Sequence, residues 1–322
     1  MPTPPPSQPH SARGYSAALG AALFLSTTAI FMRHLTVTYQ LPALVLAFWR
    51  ALFIVITLFP FLAFGGARRL GSGLPHLRYL AVYGLVLALF NSMWTLSVAL
   101  NGAAVATVLA YSSAAFTVLL GREILKESLT PVKIVAVIFS LGGCVLVSGA
   151  LDTTVLLNLG GILAGVLGGL GYAAYSLMGR SAAGRGLNPW VTLLYTFTFS
   201  AFFLLVFNLL GGGWLPGAAP RPADLGWLGS AWQGWLVLFV LAAGPSLAGF
   251  GLYNVALSHL PSSIANLVVT LEPIFTAIFA YLIFGEQLTP LQMLGGLLIL
   301  GGVASLRGFD LWQARHQRLA VG

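Results

Sequence analysis

Two charged side chains stand where charge is hardest to keep. Arg50, in Phe48-Trp49-Arg50-Ala51-Leu52, and Glu272, in Leu271-Glu272-Pro273, each lie deep in a run of apolar residues. An ionised group near the centre of a bilayer costs about 2.5–3.5 kcal/mol on insertion scales, so each is expected to face the protein interior and find a partner there. The chemistry open to them is recognition. A guanidinium holds a carboxylate through paired hydrogen bonds, and a buried carboxylate can take a substrate amine or carry a proton. A structural role competes: the two could tie helices together, partner each other, or, for Arg50, reach toward the membrane surface.

Neutral polar groups and rings recur in the same apolar runs. Asn91, Asn254 and Asn266 are primary amides that need partners in hydrocarbon. Trp94, Tyr111, Tyr172, Tyr175 and Tyr253 carry rings with one polar atom each. Asn91 and Trp94 are three residues apart and share a helix face, as do Tyr172 and Tyr175. A cavity lined this way offers rings to stack on and neutral dipoles, which suits an amphipathic zwitterion; packing or an interfacial aromatic belt is the competing reading of each ring. Pro245 and Pro273 sit inside apolar runs, where each removes a helical hydrogen bond and marks a candidate hinge.

The elements that must position these residues are membrane helices. Of the 322 residues 58% are hydrophobic and 7% charged, with mean hydropathy +0.92, far from the soluble average of about a quarter charged. Windows of about 20 residues predict ten spans near 15–32, 43–64, 78–100, 103–121, 131–149, 158–179, 188–211, 233–258, 263–284 and 289–306. Residues 1–14 are expected to form a disordered cytoplasmic tail and 309–322 a cytoplasmic carboxy-terminal tail. If the amino terminus is cytoplasmic, twelve of the fifteen Lys and Arg fall on inner segments and only Arg33 and Arg221 on outer ones, the distribution expected of a multi-pass bacterial inner-membrane protein with both termini inside. The basic balance therefore reports topology, and no nucleic-acid partner is expected.

Residues 100 to 149 recur as 259 to 308. Glu127-Ser128-Leu129-Thr130-Pro131 matches Glu286-Gln287-Leu288-Thr289-Pro290 at an offset of 159, and Gly142-Gly143 matches Gly301-Gly302. Five spans per copy make the second copy enter the membrane upside down, so residues 15–149 and 150–308 are expected to be inverted repeats around a central cavity. The same offset pairs Trp94 with Tyr253, Thr95 with Asn254 and Thr107 with Asn266, but sets Ser113 against Glu272. On the sixth span Gly161, Gly165, Gly169 and Ala173 form a close-packing stripe.

The order and spacing of Phe48-Trp49-Arg50-Ala51-Leu52, Leu252-Tyr253-Asn254-Val255-Ala256-Leu257-Ser258-His259-Leu260-Pro261, Leu271-Glu272-Pro273-Ile274-Phe275 and Gly285-Glu286-Gln287-Leu288-Thr289-Pro290 resemble the EamA-type drug/metabolite transporter superfamily, and within it most the aromatic amino acid exporter branch. The resemblance implies an all-α basket of ten helices around a central cavity, a small-molecule substrate, no nucleotide hydrolysis and no cofactor. The expected activity is secondary export of amino acids or related amphipathic metabolites by a monomer, with a proton as the candidate coupling ion. Efflux of organic cations, with Glu272 as their site, is the second transport reading. An intramembrane hydrolase using Ser246 of Gly244-Pro245-Ser246-Leu247-Ala248 belongs to another class, but the motif ends in Ala and no paired acid lies near it. Five scattered His and one Cys show no metal-ligand spacing.

Overall fold

The computed structural model describes residues 12–64, 70–147, 158–210, 212, 214–284 and 289–321, and these are helical with no β-strand among them. The helices are α1 (Ala12–Thr38), α2 (Ala43–Phe64), α3 (Leu77–Tyr111), α4 (Ser113–Leu125), α5 (Pro131–Val147), α6 (Leu159–Gly184), α7 (Pro189–Leu210), α8 (Trp232–Leu241), α9 (Leu247–His259), α10 (Ser262–Val269), α11 (Glu272–Phe284) and α12 (Pro290–Val321). Among the described residues eight helical stretches are long and apolar enough to cross a membrane, and Pro131–Val147 and Ser262–Thr276 are shorter apolar ones. Large apolar side chains point outward along their length, among them Phe61, Phe64, Leu163 and Leu297, as a lipid-facing surface requires. The protein is an integral membrane protein.

Several boundaries differ from the sequence expectation. Helix α1 begins at Ala12 and runs to Thr38, well past Met32. The carboxy-terminal segment is not separate from the last span, because α12 continues to Val321. Residues 1–11 and the proposed boundary between the two halves at 149–150 lie outside the described residues, as does Glu286. The predicted third and fourth spans share helical hydrogen bonding through 100–103. A Cβ on Gly165 would nonetheless lie 2.7 Å from both Ser97 Oγ and Leu109 Cβ, two residues that a straight helix would separate by about 18 Å. The chain therefore doubles back near Asn101.

Small residues set how closely the helices approach. Helices α1 and α9 run antiparallel, with Gly14 against His259 and Leu260, Gly20 against Leu252, and Gly249 against Leu25. Helix α6 packs on α3 likewise: Gly161 meets Leu100 and Asn101, Gly168 meets Trp94, and Gly171 meets Phe90. Helices α5 and α12 meet backbone to backbone. A Cβ on Gly143 would lie 2.5 Å from the Gly295 carbonyl oxygen, and one on Gly302 would lie 3.0 Å from the Ala136 carbonyl oxygen. Adding the 159-residue offset to Gly143 and subtracting it from Gly295 turns the first contact into the second.

Breaks interrupt three spans. The predicted fourth span breaks at Ser112, between α3 and α4, and the ninth at Thr270 and Leu271, between α10 and α11; Ser112 and Leu271 are repeat equivalents. Pro273 then occupies the first turn of α11, where its missing N–H breaks no bond. The eighth span carries a π-helical segment, Ala242–Ser246, with Pro245 inside it. A π-bulge is an identifiable cause of a bend.

Candidate functional site

Arg50 is held by neighbouring side chains. Its Nη2 donates to Asn91 Oδ1 at 2.7 Å and its Nη1 reaches the Met32 sulfur at 3.7 Å, while Nε is buried with no hydrogen-bond partner. Asn91 in turn donates through Nδ2 to the Leu87 carbonyl at 2.8 Å, which fixes its amide with the oxygen toward Arg50. Arg50 is only 7% exposed, and its guanidinium is thus aimed by one neutral partner and keeps unfilled donor capacity.

That group forms part of the wall of a cavity of about 90 Å³ between α1, α2, α3, α6, α9 and α11. Six of the residues expected from sequence line it: Arg50, Asn91, Trp94, Tyr111, Tyr172 and Glu272. Glu272 enters from the start of α11 with the Tyr111 hydroxyl beside it. Among the described residues no ion pair joins Arg50 to Glu272, so the two ionisable groups line one chamber without pairing with each other. Phe90 stacks on Tyr172 with ring centroids 4.9 Å apart and planes 9° from parallel, giving the chamber a flat aromatic wall.

Four expected site residues are elsewhere. Tyr175, Tyr253, Asn254 and Asn266 are buried in a polar network beside the cavity. The Tyr175 hydroxyl donates to Asn254 Oδ1 at 3.3 Å, and Ser176 Oγ and the Tyr253 hydroxyl lie 2.6 Å apart. Asn266 Nδ2 donates to both of these oxygens, while Ser113 Oγ donates to Asn266 Oδ1 at 3.1 Å. The network thus joins α4, α6, α9 and α10 across the molecule.

The two halves of the site differ in a systematic way. Asn91, Trp94 and Thr107 face the cavity, whereas the repeat equivalents of the latter two, Tyr253 and Asn266, are locked in the network. Moreover, the cavity and the network lie at different depths. Met32 and Arg50 are near the α1–α2 connection, but Asn254 and Asn266 are near the α9–α10 connection, which sits beside the amino-terminal end of α1 through Gly14. The chamber is therefore displaced toward one face and the polar network toward the other.

Sequence reasoning missed Leu25, Thr28 and Met32 of α1, and Phe90 and Phe250 among the lining. Thr28 carried a faint signal as a hydroxyl in mid-span; its Oγ1 donates to the Leu25 carbonyl at 2.5 Å, so the buried hydroxyl is not left unpaired. Pro245 borders a different, apolar opening on the outer surface between α1, α2 and the π segment. Pro273 follows Glu272 immediately, in the first turn of α11. Ser246 is buried with its hydroxyl unpartnered. Among the described residues no group of three or more His, Cys, Asp or Glu could hold a metal.

Comparison with known proteins agrees with this architecture. The model of the EamA-like transporter family matches residues 12–149 and again residues 159–307. A transporter of Archaeoglobus fulgidus described as uncharacterized is 27% identical over 143 residues, 44% of this chain and 46% of that one. The uncharacterized transporter YyaM of Bacillus subtilis is 26% identical over 195 residues, 60% of each chain. A second uncharacterized transporter of A. fulgidus is 27% identical over 241 residues, 74% of this chain and 78% of that one. The first two matches thus span about half and three-fifths of those relatives. A solved crystal structure shares the fold with a TM-score of 0.72 at 18% identity, covering 91% of this chain and 96% of the other. Two matches to one family model, spread over nearly the whole chain, place this membrane protein in the EamA-like transporter family.

Proposed function

We propose that this transporter exports amino acids, aromatic and other neutral or amphipathic ones, and related small metabolites across a bacterial inner membrane by alternating access. The observation that carries the reading is the chamber itself: Arg50 and Glu272 unpaired in one cavity, beside the stacked Phe90 and Tyr172. A zwitterion presents a carboxylate to the first, an ammonium to the second and an apolar side chain to the rings. Its charges replace water around both groups at once, whereas a solute of one sign would leave one buried charge unanswered.

Alternating access follows from ten spans arranged as two inverted halves. The reciprocal Gly143–Gly295 and Gly302–Ala136 contacts support a pseudo-two-fold axis in the membrane plane, and the basic residues support cytoplasmic termini. In that orientation the chamber lies in the outer half and the polar network seals the inner half. Pro245 and Pro273, at the interrupted spans, are the hinges on which the halves would rock, and Glu272 is the group that would carry a proton if one is coupled. A monomer suffices, since the chamber is built from one chain.

Proteoliposome flux distinguishes this reading from organic-cation efflux. Labelled phenylalanine should move in wild type and slow sharply in both Arg50→Ala and Glu272→Gln. Movement of an organic cation that depends on Glu272 and rises in Arg50→Ala, with no amino-acid flux, would replace amino-acid export by cation efflux.

A further inference from the structure

Arg50 divides its two held arms between a strong acceptor and a weak one. Nη2 donates to Asn91 Oδ1 at 2.7 Å, and that amide is itself fixed through the Leu87 carbonyl, whereas Nη1 faces the Met32 sulfur at 3.7 Å. A thioether sulfur accepts hydrogen bonds only weakly. A carboxylate oxygen would take the same N–H at about 2.7–2.9 Å, in a charge-assisted bond roughly twice as strong as a neutral one. Of the two held arms, Nη1 is the easier to exchange.

Met32 can give way where its helix cannot. Leu25, Thr28 and Met32 share one face of α1 and line the chamber together. The helix behind them is packed tightly on α9, since a Cβ on Gly20 would lie 3.0 Å from Leu252 and one on Gly249 2.7 Å from Leu25. Movement at this wall therefore belongs to side chains. Thr28 is bonded to the Leu25 carbonyl, and Phe90 and Tyr172 are stacked on each other. Met32 is half-buried, unbranched and flexible, and it packs against the apolar cluster of Leu35, Leu41, Val45 and Leu46, a soft surface along which it can turn. Room is also short. The chamber holds about 90 Å³, against about 300–1,000 Å³ for a pocket that encloses a drug-sized ligand, so a solute needs part of the wall to move.

We infer that Met32 is a displaceable placeholder on Arg50: a carboxylate-bearing solute takes Nη1 from the thioether, and the methionine turns aside to make room for the rest of the solute. Met32 is then a positioning residue that sets affinity through competition for one arm of the guanidinium. The inference rests on Arg50 as the carboxylate contact of the proposed function, but on neither the ammonium contact nor the direction of transport.

Substitutions at this position test the competition because they should act in opposite directions. Met32→Leu keeps the size, a swap that packed sites tolerate well, but removes the acceptor. Met32→Gln keeps the length and supplies an amide oxygen, a much stronger acceptor. Titrations would follow the five methionines by methyl-13C NMR in the full-length protein in nanodiscs, with phenylalanine and with phenylacetate, which has the carboxylate and the ring but no ammonium. Both ligands should move the Met32 methyl resonance in wild type. Met32→Leu should tighten binding about two- to five-fold, as for a weak hydrogen bond lost from the competing arrangement, and Met32→Gln should weaken it about ten-fold, as for a stronger bond to a charged group. In an Arg50→Ala background the two variants should bind alike. Misfolding cannot tighten binding, so Met32→Leu decides. Weaker or unchanged binding in that variant, or a Met32 resonance that neither ligand moves, overturns the placeholder. If phenylalanine binding is still lost in Arg50→Ala while both Met32 variants are silent, the amino-acid reading stands and the placeholder alone falls. Opposite effects on phenylacetate, with no response to phenylalanine, uphold the placeholder and reject the zwitterion reading.

Discussion

Arg50 and Asn91 behave as one unit. The amide holds the guanidinium by one arm and is itself fixed by the Leu87 carbonyl, so the remaining donors face the chamber in a set geometry. Arg50→Ala should weaken apparent affinity for a zwitterion about ten-fold or more, the loss of hydrogen bonds between charged groups. Arg50→Lys, which keeps the charge but not the fork, should fall between. Asn91→Ala should raise KM more than it lowers maximal flux, since it loosens the aim of Arg50 without removing the charge; equal kinetics in this variant and wild type would assign Asn91 to packing. Arg50, Glu272 and the mid-span amides were legible because a polar group in hydrocarbon has few places to go. The sequence could not divide cavity from network, however: Tyr172 and Tyr175 are the same residue type one helical turn apart, yet one lines the chamber and the other bonds Asn254. Phe90 and Met32 were invisible because an apolar residue in an apolar run offers no contrast.

At the scale of helices, close approach is set by residues without side chains. The α5–α12 crossing admits no Cβ at Gly143 or Gly295 without moving a carbonyl oxygen. Gly143→Ala and Gly295→Ala should each destabilise by about 1–3 kcal/mol, the usual cost of overpacking, and lower the thermal midpoint in detergent. Gly142→Ala is the control, because nothing lies within 4 Å of its added methyl; equal effects at 142 and 143 would refute the packing assignment. The glycine pairs and the stripe at Gly161, Gly165 and Gly169 could be found by spacing alone. The break at Ser112 could not, since no proline marks it; its equivalence to Leu271 appears only when the two halves are laid over each other. Helical hydrogen bonding through 100–103 was also hidden, because a turn of three or four residues leaves no polar run to announce it.

For the whole molecule, the two halves share a pattern and differ in its details. Reciprocal glycine contacts keep the repeat recognisable, while Ser113 against Glu272, and Ala103–Ala104 against Ser262–Ser263, give the two sides different chemistry. If both termini are cytoplasmic, single cysteines at Arg78 and Asn188 in a Cys144→Ala background should be labelled by an impermeant maleimide only after the inner face is exposed. Labelling from outside would invert the orientation.

A zwitterion site between Arg50 and Glu272 predicts exchange of amino acids between the two sides. Counterflow in proteoliposomes tests it most directly: vesicles loaded with unlabelled phenylalanine should accumulate labelled phenylalanine transiently above equilibrium. Arg50→Ala and Glu272→Gln should both abolish the overshoot. An overshoot that persists in both variants, or its absence from wild type across a broad panel of amino acids, would rule out this chamber as an amino-acid site.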